Sequence, residues 1–181
     1  MTAIGVVETL SIPMGIFAGD QMLKTAQVDL VTAQTACPGK YIVVVSGEVA
    51  AVKSSVAAGC ESAGASLVDS LLIPNVDERV IAAMSGACPI DSVQAVGIIE
   101  TFSLASSIHA ADTAVKAADV ELIEVRLGRG MGGKSFVVLT GEVAAAEAAV
   151  RAALAPEEMQ GLVASSVVIP SPHRDLISAL M

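Results

Sequence analysis

Tryptophan is absent from this chain, tyrosine occurs once and phenylalanine three times, so aromatic residues make up 2% of 181 positions. Hydrophobic residues nevertheless reach 54%, and the apolar mass is therefore Ala, Val, Ile and Leu. Long apolar runs are missing as well: none approaches the roughly 18 residues that a membrane helix needs. The opening stretch MTAIGVVETLSIPMG has no basic n-region and carries Glu8 early, which argues against a signal peptide. Positive charge is scarce. Ten Lys and Arg face 19 Asp and Glu, a net charge of −9 that excludes nucleic acid as the expected partner. Three cysteines in a chain expected to be cytoplasmic do not make a disulfide framework. What remains is a soluble, untargeted chain that has to hide apolar surface, and subunit interfaces are the natural place for it. Its length allows one large domain or two small ones.

Glycine is not scarce. Gly128, Gly130 and Gly133 in VRLGRGMGGKSFVV satisfy G-x-G-x-x-G, the pattern of a loop that cradles a dinucleotide pyrophosphate. That chemistry needs the glycines to lead from a strand into a helix whose N-terminus faces the phosphates. Here they lead into Phe136-Val137-Val138-Leu139, which reads as a strand. The pattern predicts a hairpin, not a nucleotide site.

Internal repetition decides the organisation. AIGVVET (3–9) recurs as AVGIIET (95–101), and GDQMLKTAQVDLV (19–31) recurs as ADTAVKAADVELI (111–123). KYIVVVSGEVAAV (40–52) then matches KSFVVLTGEVAAA (134–146), and LLIP (71–74) matches VVIP (167–170). Matched blocks in one order mark a tandem duplication, with domains expected at 1–91 and 92–181. Two copies are too few for an open solenoid, so a closed pseudo-symmetric arrangement is expected.

Each copy has one pattern. Residues 3–9 read as a strand, and Met14 to Ala26 as an amphipathic helix on Ile16, Phe17, Met22 and Leu23. Residues 28–35 and 40–46 read as two strands around a turn, Glu48 to about Ala63 as a second helix, and Leu67–Ile73 as a last strand before a short helix at 78–84. The order β-α-β-β-α-β predicts an α+β fold of two ferredoxin-like domains, each an antiparallel sheet with helices on one face.

The blocks AIGVVET, MLKTAQVDLV, GEVAAVKSSVAAG and LLIP, with AVGIIET, AVKAADVELI, GEVAAAEAAVRAA and VVIPSPH, resemble the bacterial microcompartment (BMC) shell domain across essentially the whole chain. The duplication is similar to that of tandem-domain shell proteins, whose trimers mimic the usual hexamer. Cys37-Pro38-Gly39-Lys40 and the glycine-rich second hairpin further resemble the iron–sulfur trimers of propanediol-utilisation shells. One departure stands out. The family often ends its last strand in Ile-Pro-Arg-Pro-His, whose Arg helps to join tiles, and that Arg position is here Asn75 in one copy and Ser171 in the other.

The resemblance implies a homotrimeric, pseudohexameric tile that sits among other microcompartment shell proteins and is not an enzyme. It places the two hairpin turns at the symmetry axis, with Ala36, Cys37, Pro38, Gly39, Gly128, Arg129, Gly130, Met131, Gly132 and Gly133 lining the pore. Glycine suits an axis, where crowded backbones leave no room for Cβ atoms. Read alone, Cys37 is as readily an idle or buried thiol, and no Cys-x-x-Cys spacing accompanies it. On a three-fold axis, three Cys37 thiolates would ligate three corners of a [4Fe–4S] cluster. Cys60 and Cys88 read as packed or exposed structure, and His109 and His173 lie in unrelated settings without a readable metal or triad spacing. Lys24 and Lys116 recur at the ends of equivalent helices. Macrodipole compensation explains a lysine there, while the resemblance implies a tile-edge contact. The expected function is a shell pore that carries electrons across the shell to encapsulated or external redox enzymes. The alternatives are a metabolite-conducting pore without a cluster, a free-standing trimeric sensor, and a ferredoxin-like enzyme with an interface site.

Overall fold

The β-branched apolar runs form strands and the Ala-rich stretches form helices, as their side-chain entropies favour. The computed structural model describes residues 2–90, 92–128 and 130–180, and the chain divides into two units. The first runs to Val76 and also takes in Ser103–Ala105 and Gly128–Gly133. The second comprises Asp77–Phe102, Ser106–Leu127 and the chain from Lys134 onward.

The first unit holds β1 (Ala3–Thr9), α1 (Ile12–Thr25), β2 (Asp29–Ala36), β3 (Lys40–Gly47), α2 (Val49–Ala63) and β4 (Leu67–Ile73). Its strands form one sheet in the order β2-β3-β1-β4, every neighbour antiparallel. Ala3 and Val7 of β1 join Ala18, Met22, Val52 and Val56 of the two helices in one core. The alternate residues Ile4, Val6 and Glu8 point to the opposite face, yet they too are fully buried.

The buried face of α1 is not the one its large residues suggest. Of Ile16, Phe17, Met22 and Leu23, only Met22 is buried, and the others are 54%, 49% and 40% exposed. The helix instead buries Gly15, Ala18, Gly19 and Met22. The reason is close approach: a Cβ on Gly15 would stand 2.5 Å from Tyr41 Cβ. The helix backbone lies directly on β3, and its bulky residues are turned outward.

The second unit holds α3 (Glu78–Met84), β5 (Ala95–Thr101), most of α4 (Leu104–Ala117), β6 (Glu121–Leu127), β7 (Ser135–Gly141), α5 (Val143–Leu154), β8 (Val163–Ile169) and α6 (Arg174–Leu180). The sheet order is β6-β7-β5-β8. Even the irregularities repeat: register shifts at Glu8/Thr9 and Leu30/Thr32 recur at Glu100/Thr101 and Leu122/Glu124. The α+β expectation of two β-α-β-β-α-β copies holds. Within this unit α3 packs on β6, with Val80 and Ala83 buried. Asp77 caps the helix by accepting from Arg79 N at 3.0 Å. The Arg79 guanidinium pairs with Asp77 at 2.8 Å and donates to Val120 O at 2.9 Å and Val115 O at 3.2 Å. This clasp holds the Asp77 carboxyl below its usual range, chiefly through the Arg79 hydrogen bond.

Candidate functional site

Leu127 at the end of β6 pairs with Ser135 at the start of β7, so the glycine run closes a hairpin. The glycines lead into the strand β7 and not into a helix, as the pyrophosphate pattern would require. This turn belongs to the first unit, where it meets the β2–β3 turn. Cys37 N donates to Gly128 O at 2.8 Å, and Gly130 N donates to Cys37 Sγ at 3.4 Å. Gly133, at φ +89°, lies so close that a Cβ would stand 2.9 Å from Pro38 Cδ and 3.1 Å from Cys37 O. A side chain there would meet both steric and conformational penalties. The roots Ala36, Gly128 and Gly133 are buried, while Pro38, Gly39, Gly130 and Gly132 are exposed. Cys37 and Met131 are half-buried between them, and Arg129 lies outside the described residues. The two turns for which the resemblance implies a shared pore are thus joined to each other within this unit.

Beneath the turns lies an ion pair that reading the sequence missed. Lys40 Nζ and Glu8 Oε1 are 2.6 Å apart, with side chains 10% and 0% exposed. Glu8 Oε2 accepts from Leu104 N at 2.8 Å and from Ala105 N at 3.4 Å, the first amide groups of α4. A carboxylate suits that place, because the free N–H groups of a helix N-terminus carry partial positive charge. Lys40 Nζ also reaches Gly133 O at 3.4 Å, so the pair fastens both turns to β1. The signal for it was in the repeats: Glu8 and Lys40 recur as Glu100 and Lys134. That second pair is 2.8 Å apart but far more exposed, at 40% for Lys134 and 32% for Glu100. The hydrogen bond from Lys134, with a further one from Ser165, holds the Glu100 carboxyl below the ordinary range.

The other candidates are apart from this site. Cys60 packs against the core of the first unit. Cys88 lies 3.8 Å from Arg79 O, and burial pushes its thiol up, with a further contribution from Glu121. His109 is half-buried on α4, and the exposed His173 ring accepts from Asp175 N at 3.3 Å. Lys24 pairs with Asp20 at 2.7 Å, and Lys116 with Asp112 at 2.5 Å, each one turn earlier on its helix. Among the described residues of one chain, no three His, Cys, Asp or Glu come together to hold a metal ion. No helix among them is long and apolar enough to cross a membrane.

The BMC domain family model matches residues 3–76 and again 95–172. The chain therefore belongs to the BMC-domain family, with two copies of the domain in tandem. It is 45% identical to the bacterial microcompartment shell protein PduT of Citrobacter freundii over 174 residues, 96% of this chain and 95% of that protein. A crystal structure of a microcompartments protein from Desulfitobacterium hafniense DCB superimposes with a TM-score of 0.90 and 53% identity, covering 98% of this chain and 99% of that one. The fused permuted hexameric shell protein MSM0275 from the RMM microcompartment shares the fold, with a TM-score of 0.62 and 21% identity over 84% of this chain and 79% of its own. By family and by relatives, this is a structural shell protein of a bacterial microcompartment.

Proposed function

We propose that the chain is a homotrimeric shell tile whose joined hairpin turns ring a central pore, and that Cys37 holds a [4Fe–4S] cluster there for electron transfer across the shell. One observation carries the reading: the Cys37 turn and the glycine turn are hydrogen-bonded into one unit, with Cys37 Sγ the sole thiol in it. The donor set fits such a cluster in kind. Thiolate sulfur is what iron–sulfur clusters take, and hydrogen bonds to that sulfur tune them; Gly130 N supplies one. One chain offers a single ligand, so three chains are needed to supply three. When bound, the cluster would supply one-electron transfer. The protein's own part is to present the sulfur, keep bulky side chains off the exposed tips and fasten the turns through Glu8 and Lys40. Lys24 and Lys116 serve the tile edge, where the trimer meets other shell proteins, and encapsulated or external redox enzymes are the partners the cluster would serve. A plain metabolite pore is the second reading, favoured by the exposed, side-chain-free tips Gly39, Gly130 and Gly132.

Anaerobic purification with iron and sulfide analysis separates the two readings. Wild type is expected to carry a cluster per three chains and a brown absorption. Cys37→Ser is expected to lose both without unfolding, whereas Cys60→Ser and Cys88→Ser keep them. Iron-free wild type after anaerobic reconstitution, or stoichiometric iron in the Cys37 variant, would leave the plain pore as the function.

A further inference from the structure

The two copies are built differently at one helix-facing position. In the first, Thr9 of β1 stands opposite Tyr41 of β3, and the Tyr41 ring lies against Gly15 of α1. A Cβ on Gly15 would come within 2.5 Å of Tyr41 Cβ, 2.8 Å of Tyr41 Cδ1 and 2.6 Å of Thr9 Oγ1. In the second copy the counterparts of Gly15, Tyr41 and Thr9 are Ser107, Ser135 and Thr101. All three are 0% exposed, and all belong to the second unit.

Thr101 and Ser135 are directly opposed on β5 and β7, so their side chains share a face and their Cβ atoms stand about 4.5–5.5 Å apart. Among the described residues, Ser135 Oγ is the one buried side-chain oxygen or nitrogen without a hydrogen-bond partner in the protein. Buried hydroxyls are almost always hydrogen-bonded, and leaving one unmet costs its desolvation. Two changes make room for a partner that is not protein. The Tyr41 ring is traded for a hydroxymethyl group. Along the helix, Gly15 and Gly19 become Ser107 and Ala111, so α4 carries Cβ atoms where α1 has none. A Cβ at the depth of Gly15 would collide with the strand, and α4 cannot take the same close seat on β7.

We propose that Ser135 Oγ and Thr101 Oγ1 hold a buried water molecule beneath α4, where the first copy has the edge of the Tyr41 ring. Water is a ligand of the right size and polarity, since such a site needs about two to four polar partners and a dry cavity is apolar. Ser107 supplies a third hydroxyl from the helix side. Thr101 and Ser107 are also engaged elsewhere, but a hydroxyl both donates and accepts more than once, which leaves capacity for the water. Ser135 is the main anchor. An asymmetry between the hairpins follows: Ser135 opens β7 just after the glycine turn, so that turn is rooted on an exchangeable molecule, and the Cys37 turn is rooted on a ring.

A high-resolution crystal structure of the full chain tests this. Wild type is expected to show an ordered water about 2.7–3.0 Å from Ser135 Oγ and Thr101 Oγ1. Ser135→Ala keeps the Cβ, removes the anchor, and is expected to fold and lose that water. A wild-type map without it, or a water that stays in place in Ser135→Ala, overturns the assignment. Thermal unfolding gives a second reading that needs no crystal. Ser135→Tyr puts the ring of the first copy against a helix that has a Cβ, and should lower the midpoint by about 5–10 °C. Ser107→Gly alone should lower it by about 2–4 °C, because glycine weakens a helix interior. In the Ser135→Tyr background the same Ser107→Gly change should instead raise the midpoint, since it completes the glycine, ring and threonine set of the first copy. An equal fall in both backgrounds would show that helix and ring do not compete for one space, and the site would fail with that result.

Discussion

The pairs Glu8–Lys40 and Glu100–Lys134 come from the same positions of a duplicated sequence and stand at similar distances, 2.6 Å and 2.8 Å. One is almost wholly buried, and in the other the side chains are 40% and 32% exposed. The difference is not in the pair. Glu8 has the amide groups of Leu104 and Ala105 against its second oxygen, whereas that oxygen of Glu100 accepts from the exposed Ser165 hydroxyl. A duplicated domain is thus two copies of one pattern in two environments, and the environment decides what each residue is worth. The counterparts of Leu104 and Ala105 are Ile12 and Pro13. Proline has no N–H to give, so a helix N-terminus brought to Glu100 by a second chain would offer one donor fewer.

Breaking each pair in turn puts the largest difference on this comparison. Glu8→Gln removes the counter-charge of a buried ammonium and is expected to destabilise the chain by about 3–5 kcal/mol. Glu100→Gln, measured by chemical denaturation in dilute, unassembled protein, is expected to cost no more than about 1 kcal/mol. Equal losses would show that burial is not what separates the pairs. A Glu100 loss that grows on assembly would show a second chain completing the site.

The equivalent glycines Gly39 and Gly133 give a smaller contrast of the same kind. Both have positive φ, +83° and +89°, but a Cβ on Gly39 meets nothing within 4 Å, while one on Gly133 strikes Pro38. Gly39→Ala is expected to cost about 1–2 kcal/mol, the backbone penalty alone. Gly133→Ala adds overpacking and is expected to cost about 2–4 kcal/mol. Thermal unfolding of the two variants measures the gap, and a gap of zero would mean that the turns are not joined as described.

The sequence made the β-α-β-β-α-β order legible, because alternating β-branched runs and Ala-rich helices recur in both copies. It also exposed the G-x-G-x-x-G pattern as a hairpin, since a strand follows the glycines. The burial of Glu8 with Lys40 was not legible. Its cause is Leu104 N, 96 residues away, and periodicity within one element carries no record of such a neighbour. The face of α1 was misread for a related reason. Hydrophobicity ranks Ile16, Phe17 and Leu23 as core, but Gly15 and Gly19 let the backbone approach the sheet and claim the inner side. The outward apolar residues then belong to a surface that one chain alone does not cover. Nor does composition mark α3 as a partner of β6, since a helix that follows β4 in the chain would be assigned to β4's own sheet.

The central claim is that this chain tiles a shell, and electron microscopy of the purified protein at increasing concentration tests it most directly. The account predicts extended single-layer sheets from wild type. It predicts dispersed particles of unchanged mass when Lys24 and Lys116 are both replaced by Ala, because exposed helix-end lysines contribute only about 0.3–1 kcal/mol each to folding. Wild type that stays dispersed at every concentration, alone and with co-expressed shell proteins, would contradict the account, as would a double variant that tiles normally.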